Sequence, residues 1–333
     1  MIKHQVVRRS TILAADIGGT NSRFASFSAD DEGKLTMHSQ SWLKTAGADS
    51  FGSLINKLIS SDFPLKPWDT EIVGVAIAGP IESGTISSPP LIHWQIDISE
   101  AQKDFGIKRT FLINDFVAQA YACLSPVGEE AQTVLAGEAV RDAAIAVIGA
   151  GTGLGKALLT PDGRGNYRAL PSEGAHADFP FVTDREHQFM QYLMHSTEIL
   201  HVTYNHVVSG SGLSAVHSFL TGEQLAPQEV ARGFQNYPET LAWASRFYGR
   251  ACRNFALETL ALGGLFIAGG VAAKNPIIVN HKAFKDEFYM PGTMGHLLRG
   301  LPVRLITDQN SGLWGVAIKA VMELQGKEAY RHE

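Results

Sequence analysis

Apolar residues along this chain come in short blocks that repeatedly stop at glycine. Ile12-Leu13-Ala14-Ala15 runs into Asp16-Ile17-Gly18-Gly19-Thr20-Asn21 and resumes at Phe24-Ala25-Ser26-Phe27. That is strand, tight turn, strand: a hairpin whose glycines can bring bare backbone against a ligand. Leu35 to Trp42 predicts a third strand, and the pairs Leu54-Ile55 and Leu58-Ile59 predict a helix over Ser53 to Ser60. Glu71 to Ala78 reads as a strand ending at Gly79-Pro80, and Ser87 to Gln95 as a Pro-interrupted loop closing on His93-Trp94. Thr110 to Ile113 then predicts a short buried strand, followed by the polar pair Asn114-Asp115 and a helix-like run from Phe116 to Leu124.

The pattern then starts again. Ala143 to Ile148 is an apolar run feeding Gly149-Ala150-Gly151-Thr152-Gly153-Leu154-Gly155, after which Ala157-Leu158-Leu159 resumes. A second strand, glycine turn, strand unit implies two halves of related architecture, without visible sequence identity between them. Leu241 to Ala261 reads as a long helix, Leu265 to Ala268 as a strand entering Gly269-Gly270, and Pro302 to Ile306 as a last strand. A closing helix over Gly312 to Leu324 carries apolar Leu313, Val316, Ile318, Val321 and Met322.

Composition narrows the class. A chain of 333 residues is long enough for two well-packed domains, and 45% hydrophobic with 18% charged residues is ordinary for a globular protein. A net charge of -5 leaves no basic footprint for nucleic acid. Cys123 and Cys252 are too few for a disulfide framework or a cysteine metal site. The start is mildly basic, but only Thr11 to Ala15 intervene before Asp16, too short for a signal peptide, and no run is long enough to span a bilayer. The expected location is the cytoplasm.

Candidate chemistry follows from the strand ends. A carboxylate there stands where ligands bind in α/β sheets, so Asp115 could accept a proton from a substrate hydroxyl; alternatively it caps the following helix. Asp16 could hold hydrated Mg²⁺ against phosphates, or merely stabilise its turn. The glycine turns could clasp phosphates through backbone N–H groups. Neither follows a familiar fingerprint: a P-loop would need Gly at Ala150 and a hydroxyl at Ala157, and the dinucleotide pattern fails at Leu154 or Lys156. Glu173 and His176, three apart in Leu170 to Phe179, supply the mixed donors and acceptors that vicinal hydroxyls need, although a plain surface loop would look the same. Glu198, in the helix-like Phe189 to Ile199, reads by itself as a solvated helix charge.

Together these motifs resemble the bacterial glucokinase family of the hexokinase and actin-like sugar kinase superfamily. Ala15 to Arg23 is similar to the first phosphate hairpin, Ile113-Asn114-Asp115-Phe116 to the catalytic strand end, and Ile148 to Gly155 to the second phosphate loop. Pro171 to Phe179 resembles the sugar-binding loop. Thr197-Glu198-Ile199, ahead of Val208 to Leu213, resembles the segment with a further acidic sugar contact, and Phe266 to Val271 the adenosine motif.

The resemblance implies two RNase H-like α/β domains, spanning 1–118 with 307–333 and 119–306, with the active cleft between them. It implies ATP-dependent phosphorylation of the glucose 6-hydroxyl, with Asp115 as base and Asn114, Glu173, His176 and Glu198 on the other hydroxyls. ATP and Mg²⁺ would be held by Asp16, Gly18, Gly19, Thr20, Asn21, Gly151, Thr152, Gly153, Gly269 and Gly270, with Asp16 as metal ligand. A homodimer with no membrane or nucleic-acid partner is the implied form. Two departures bear on the sugar: Leu91-Ile92 precede His93-Trp94 where the family carries Thr-Asn, and Ser172 replaces Gly before Glu173. Such changes can shift discrimination among sugars. The competing readings are a kinase for another hexose, a non-catalytic sugar sensor on the same fold, and a plain nucleotide hydrolase.

Overall fold

The computed structural model describes residues 10–290 and 292–326. The basic start, the Arg331-His332-Glu333 tail and the matching ends of the expected N-terminal domain lie outside the described residues. Two compact units divide the chain: one holds the residues through Glu129 and those from Asn310 onward, the other Glu130–Gln309.

In the first unit, β1 (Ser10–Ile17), β2 (Asn21–Ala29), β3 (Leu35–Lys44) and β4 (Ile72–Ile77) belong to the main sheet. β5 (Ile86–Ser87) and β6 (Ile96–Asp97) form a separate antiparallel pair bordering the stretch expected as loop. β7 (Thr110–Asn114) completes the five-stranded order β3-β2-β1-β4-β7, with β1, β4 and β7 mutually parallel. α1 (Phe51–Ser60), capped by Ser50, buries Leu54, Ile55 and Leu58 against Leu13, Ala15, Ile17, Val73 and Val75. α2 (Ile98–Phe105) adds Ile98 and Ala101 to the same core. α3 (Asp115–Ala122) leads into α4 (Pro126–Glu129). The last helix among the described residues, α14 (Ser311–Leu324), packs on α3, β1 and β4. Glycine makes that approach possible: a Cβ on Gly315 would stand 1.7 Å from the Ala118 carbonyl oxygen, and one on Gly74 would stand 2.5 Å from Val316.

The second unit repeats the plan. β8 (Gln132–Leu135), β9 (Ile145–Ala150), β10 (Leu154–Pro161), β11 (Tyr167–Ser172), β12 (Gly264–Ala268) and β13 (Val303–Leu305) lie in the order β11-β10-β9-β12-β13-β8. An antiparallel meander is again followed by two parallel strands, with β8 added antiparallel at the edge. α5 (Asp184–Thr197), α6 (Tyr204–Val207), α7 (Gly210–Thr221) and α8 (Pro227–Arg232) precede the central α9 (Pro238–Glu258). Phe179, Phe189, Trp243 and Phe247 form an edge-to-face aromatic core around α9. Arg250, buried on α9, is neutralised by two carboxylates: Glu186 at 2.6 Å and Glu287 at 2.9 Å. After β12 come the short α10 (Gly270–Lys274), α11 (Ile277–Asn280), α12 (Lys282–Phe288) and α13 (Gly295–Gly300). Among the described residues no helix is long and apolar enough to cross a membrane.

Candidate active site

In the first unit the three parallel strands end together. Asp16 is level with Ala76, and Ala76 with Ile113, so Asp16 and the Asn114-Asp115 pair share the carboxyl edge. With β4 between β1 and β7, they stand roughly 10 Å apart, two strand spacings. Asp16 faces Arg23 across the hairpin, at 3.3 Å, and Arg23 rests 4.6 Å over the Trp42 ring. Burial pushes the Asp16 carboxyl above the usual aspartate range, and Arg23 opposes the shift without cancelling it. Space for the carboxylate is left by Gly312 of α14, where a Cβ would stand 2.7 Å from Oδ2.

The turn after Asp16 is held open by its own backbone. Gly18 N–H donates to the Asn21 carbonyl at 3.0 Å, and the Thr45 hydroxyl donates to the Gly18 carbonyl at 2.6 Å. Asn21 also accepts from Lys44 Nζ at 2.9 Å, and Thr20 is exposed at the tip. Leu91 lies on this turn: a Cβ on Gly19 would stand 2.7 Å from the Leu91 Cβ. The departure seen in sequence is therefore in contact with the first glycine hairpin.

At the end of β7 the capping residue is Asn114. Its Oδ1 accepts the N–H groups of Phe116 at 2.9 Å and Val117 at 3.3 Å, and its Nδ2 donates to the Gly79 carbonyl at 3.2 Å. One Nδ2 hydrogen is left over for a ligand. Asp115 is the first helical residue and accepts the Phe116 N–H at 2.9 Å, a favourable position for a negative charge. The alternative that Asp115 supplies the cap gives way to Asn114 in that role. One turn further along α3, Gln119 has its Oε1 buried with no hydrogen-bond partner among the described residues, while its Nε2 lies near the Asp16–Gly312 contact. Sequence reading passed over Gln119, although its i+4 spacing from Asp115 puts both on one helix face.

In the second unit the loop after β9 is built almost wholly from backbone. Gly151 N–H donates to the Gly153 carbonyl at 2.7 Å, and the Gly151 carbonyl accepts from Gly210 at 2.9 Å, at the start of α7. Asn205 Oδ1 accepts the Leu154 N–H at 2.8 Å, and the Tyr248 hydroxyl accepts that of Ala150 at 3.1 Å. Thr152 is exposed at the tip. Gly149 and Gly269 let β9 and β12 close together: a Cβ on either would stand 2.5 Å from a carbonyl oxygen of the other strand, and Gly269 has a φ of +83. Gly270 opens α10 beside them. The Val208 to Leu213 segment, grouped in sequence with the Glu198 contact, thus sits against this loop through Gly210.

Glu173 and His176 are brought together by a single 3-10 turn, Gly174–His176. Three residues per turn superpose them, with Glu173 Oε2 and His176 Nε2 3.7 Å apart and both side chains exposed. Buried Ala175 pins the turn to the core, and Ser172 Oγ accepts the Gly174 N–H at 3.2 Å. Glu198 is not within the helix but just past it, in the left-handed conformation that ends α5, with a φ of 55. It makes no hydrogen bond or ion pair to Glu173 or His176 among the described residues.

Backbone N–H groups in glycine turns can cradle phosphate, and exposed carboxylate and imidazole groups suit hydroxyls. No group of three or more His, Cys, Asp or Glu side chains placed to hold a metal ion occurs among the described residues. Comparison with known proteins supplies the family. A family profile described as Glucokinase matches residues 13–323. The glucokinase of Nostoc sp. is 31% identical over 341 residues, covering 93% of this chain and 98% of that protein. Among solved structures, a glucokinase from an Antarctic psychrotroph superposes with a TM-score of 0.81 at 29% identity, covering 94% of this chain and 99% of that one. A Balamuthia mandrillaris glucokinase in complex with glucose has a TM-score of 0.77 at 21% identity, covering 96% and 95%, and supports the fold.

Proposed function

This chain belongs to the glucokinase family and phosphorylates glucose with ATP as donor, and we propose that Asp115 is the base that takes the proton from the 6-hydroxyl. The observation that carries the proposal is the division of labour at the end of β7. Asn114 closes the helix, and Asp115 stands beside it on the same strand edge as Asp16. Phosphoryl transfer asks little covalent chemistry of a protein; positioning and charge stabilisation do most of it.

On this reading the remaining Nδ2 hydrogen of Asn114, with Glu173, His176 and Glu198, holds the other sugar hydroxyls. The turns at Gly18 to Asn21 and Gly151 to Gly153, with Gly269 and Gly270, hold phosphates and adenosine through backbone groups. Asp16 would hold Mg²⁺, which when bound offsets phosphate charge. The raised carboxyl of Asp16 supports this, because a cation would restore what burial removes. A homodimer in the cytoplasm is the form the family relationship favours, and light scattering of the purified protein measures the former.

A coupled ADP-release assay over glucose, mannose, fructose, galactose and N-acetylglucosamine, with Asp115→Ala beside the wild type, tests the reading. Turnover on glucose should fall about 10²- to 10⁴-fold in the variant. Retention of full turnover would remove Asp115 from the role of base. One observation favours a second reading of specificity: Leu91, 60% exposed and seated on Gly19, offers hydrocarbon where the family carries a polar residue. Preference for another hexose in the same panel would keep the mechanism and move the substrate.

A further inference from the structure

Lys156 is a buried cation with no carboxylate in direct contact among the described residues, Glu258 acting on it only from farther off. It lies on β10, one residue past Gly155, and is 2% exposed. Among the described residues no carboxylate comes within ion-pair distance of it, whereas Arg250 in the same unit has two. Burying an ammonium unpaired is costly, so its surroundings must compensate. They do so in one direction: Nζ donates to the Gly174 carbonyl at 3.2 Å and lies 4.1 Å over the Tyr204 ring and 5.1 Å from that of Phe255.

The ladder partner of Lys156 on β11 is Ser172. Its hydroxyl accepts the N–H of that same Gly174 at 3.2 Å. A Cβ on Gly174 would stand 3.1 Å from Ser172 Oγ and 3.6 Å from Lys156 Cδ, so the two side chains close on the glycine from both sides. Glu173 and His176 flank the residue so held.

We propose that Lys156 and Ser172 form a clamp on Gly174 that sets the sugar-binding turn, making Lys156 a positioning residue for hexose recognition. This rests on the reading that Glu173 and His176 contact the sugar. The clamp also gives a reason for serine at 172: a glycine there would leave the Gly174 N–H without that acceptor.

The test compares Lys156→Met, which keeps the stem and removes the ammonium, with Ser172→Ala, and uses Glu173→Gln as a control. Lys156→Met should raise the glucose KM about tenfold or more, the size of one hydrogen bond from a charged group, and Ser172→Ala about three- to tenfold, that of a neutral one, while kcat and the ATP KM stay within about twofold. Amide exchange at residues 174–177 should accelerate in both, and the thermal midpoint of Lys156→Met should hold or rise because an unpaired buried charge is gone. A purely structural lysine would lower the midpoint and leave the glucose KM alone. Unchanged exchange at 174–177 overturns the clamp whatever the sugar contacts are. Faster exchange with an unchanged glucose KM, where Glu173→Gln raises it, overturns the positioning role. An unchanged KM in Glu173→Gln overturns the underlying sugar assignment, and the exchange result then decides the clamp by itself.

Discussion

The two glycine hairpins occupy the same place in two sheets of the same plan, yet they carry different things. Counting back from each turn, Asp16 and Gly149 are equivalent: each is one residue before the last pair of its hairpin, and each is level with an alanine of the adjacent parallel strand, Ala76 or Ala268. The first site holds a carboxylate, an arginine and a stacked tryptophan. The second holds no charged side chain, only the Asn205 amide and the Tyr248 hydroxyl that accept its backbone N–H groups. The location of the compensating glycine explains the difference. Beside Asp16 it is on the helix, at Gly312, and the room it leaves is filled by a carboxylate; at the second hairpin it is at Gly149 on β9 and Gly269 just past β12, and backbone fills the room. Both tips keep an exposed threonine, Thr20 and Thr152. One architecture used twice has thus been specialised, with charge chemistry in one copy and bare backbone donors in the other.

If that division is right, the largest effect belongs to the charged copy. Asp115→Asn should lower kcat about 10²- to 10⁴-fold with the thermal midpoint nearly unchanged, as read by ADP release and calorimetry.

Asp16→Asn should come next, with activity down roughly 10²-fold and Mg²⁺ dependence weakened. Its stability should move the other way. Because burial raises the Asp16 carboxyl, the folded state holds its proton more tightly than the unfolded chain. Stability is therefore lost as pH rises from the ordinary aspartate value through the raised one, and remains lost at neutral pH. The ligand-free Asn variant should be at least as stable as the wild type at neutral pH, with a flatter acid profile. A clear loss of stability there would mean that Arg23 outweighs burial.

In the bare copy, Gly149→Ala should cost about 1–3 kcal/mol of stability, since its Cβ would meet the Ala268 backbone and neither strand can yield freely. Denaturant unfolding measures this. Gly151→Ala is the mildest and sharpest case. A Cβ there meets no described atom closer than 4.0 Å. Stability should change by less than about 0.5 kcal/mol, so a rise of roughly three- to tenfold in the ATP KM would report on phosphate alone. An unchanged ATP KM would separate this loop from the nucleotide.

Much of this was legible in the chain. Both hairpins announced themselves because glycine clusters directly follow apolar runs, and the closing helix was plain from its apolar spacing. Other features were hidden for identifiable reasons. β5 and β6 are two residues each, too short to show a period. α9 begins at Pro238, ahead of the first apolar pair, because proline suits the first helical position. α5 starts at Asp184 behind the Thr183 cap, in a run of charges that conceals a buried member, Glu186. Lys156 escaped notice for a related cause. A lone lysine in an apolar strand gives no sign of its partner, which is a backbone carbonyl eighteen residues away. Asn114 and Asp115 could not be told apart as cap and candidate base until their hydrogen bonds were placed.

The return of α14 has a consequence for how the molecule is made. Asp16 leaves the ribosome well before Gly312, which shapes its surroundings. The first sheet therefore waits, with one face of β1 and β4 uncovered, while the second unit is synthesised. A polypeptide released early would contain the glycine turns and Asp115 yet lack the helix that packs on α3, β1 and β4. The surroundings of Asp16 are therefore completed only after the second unit has been synthesised.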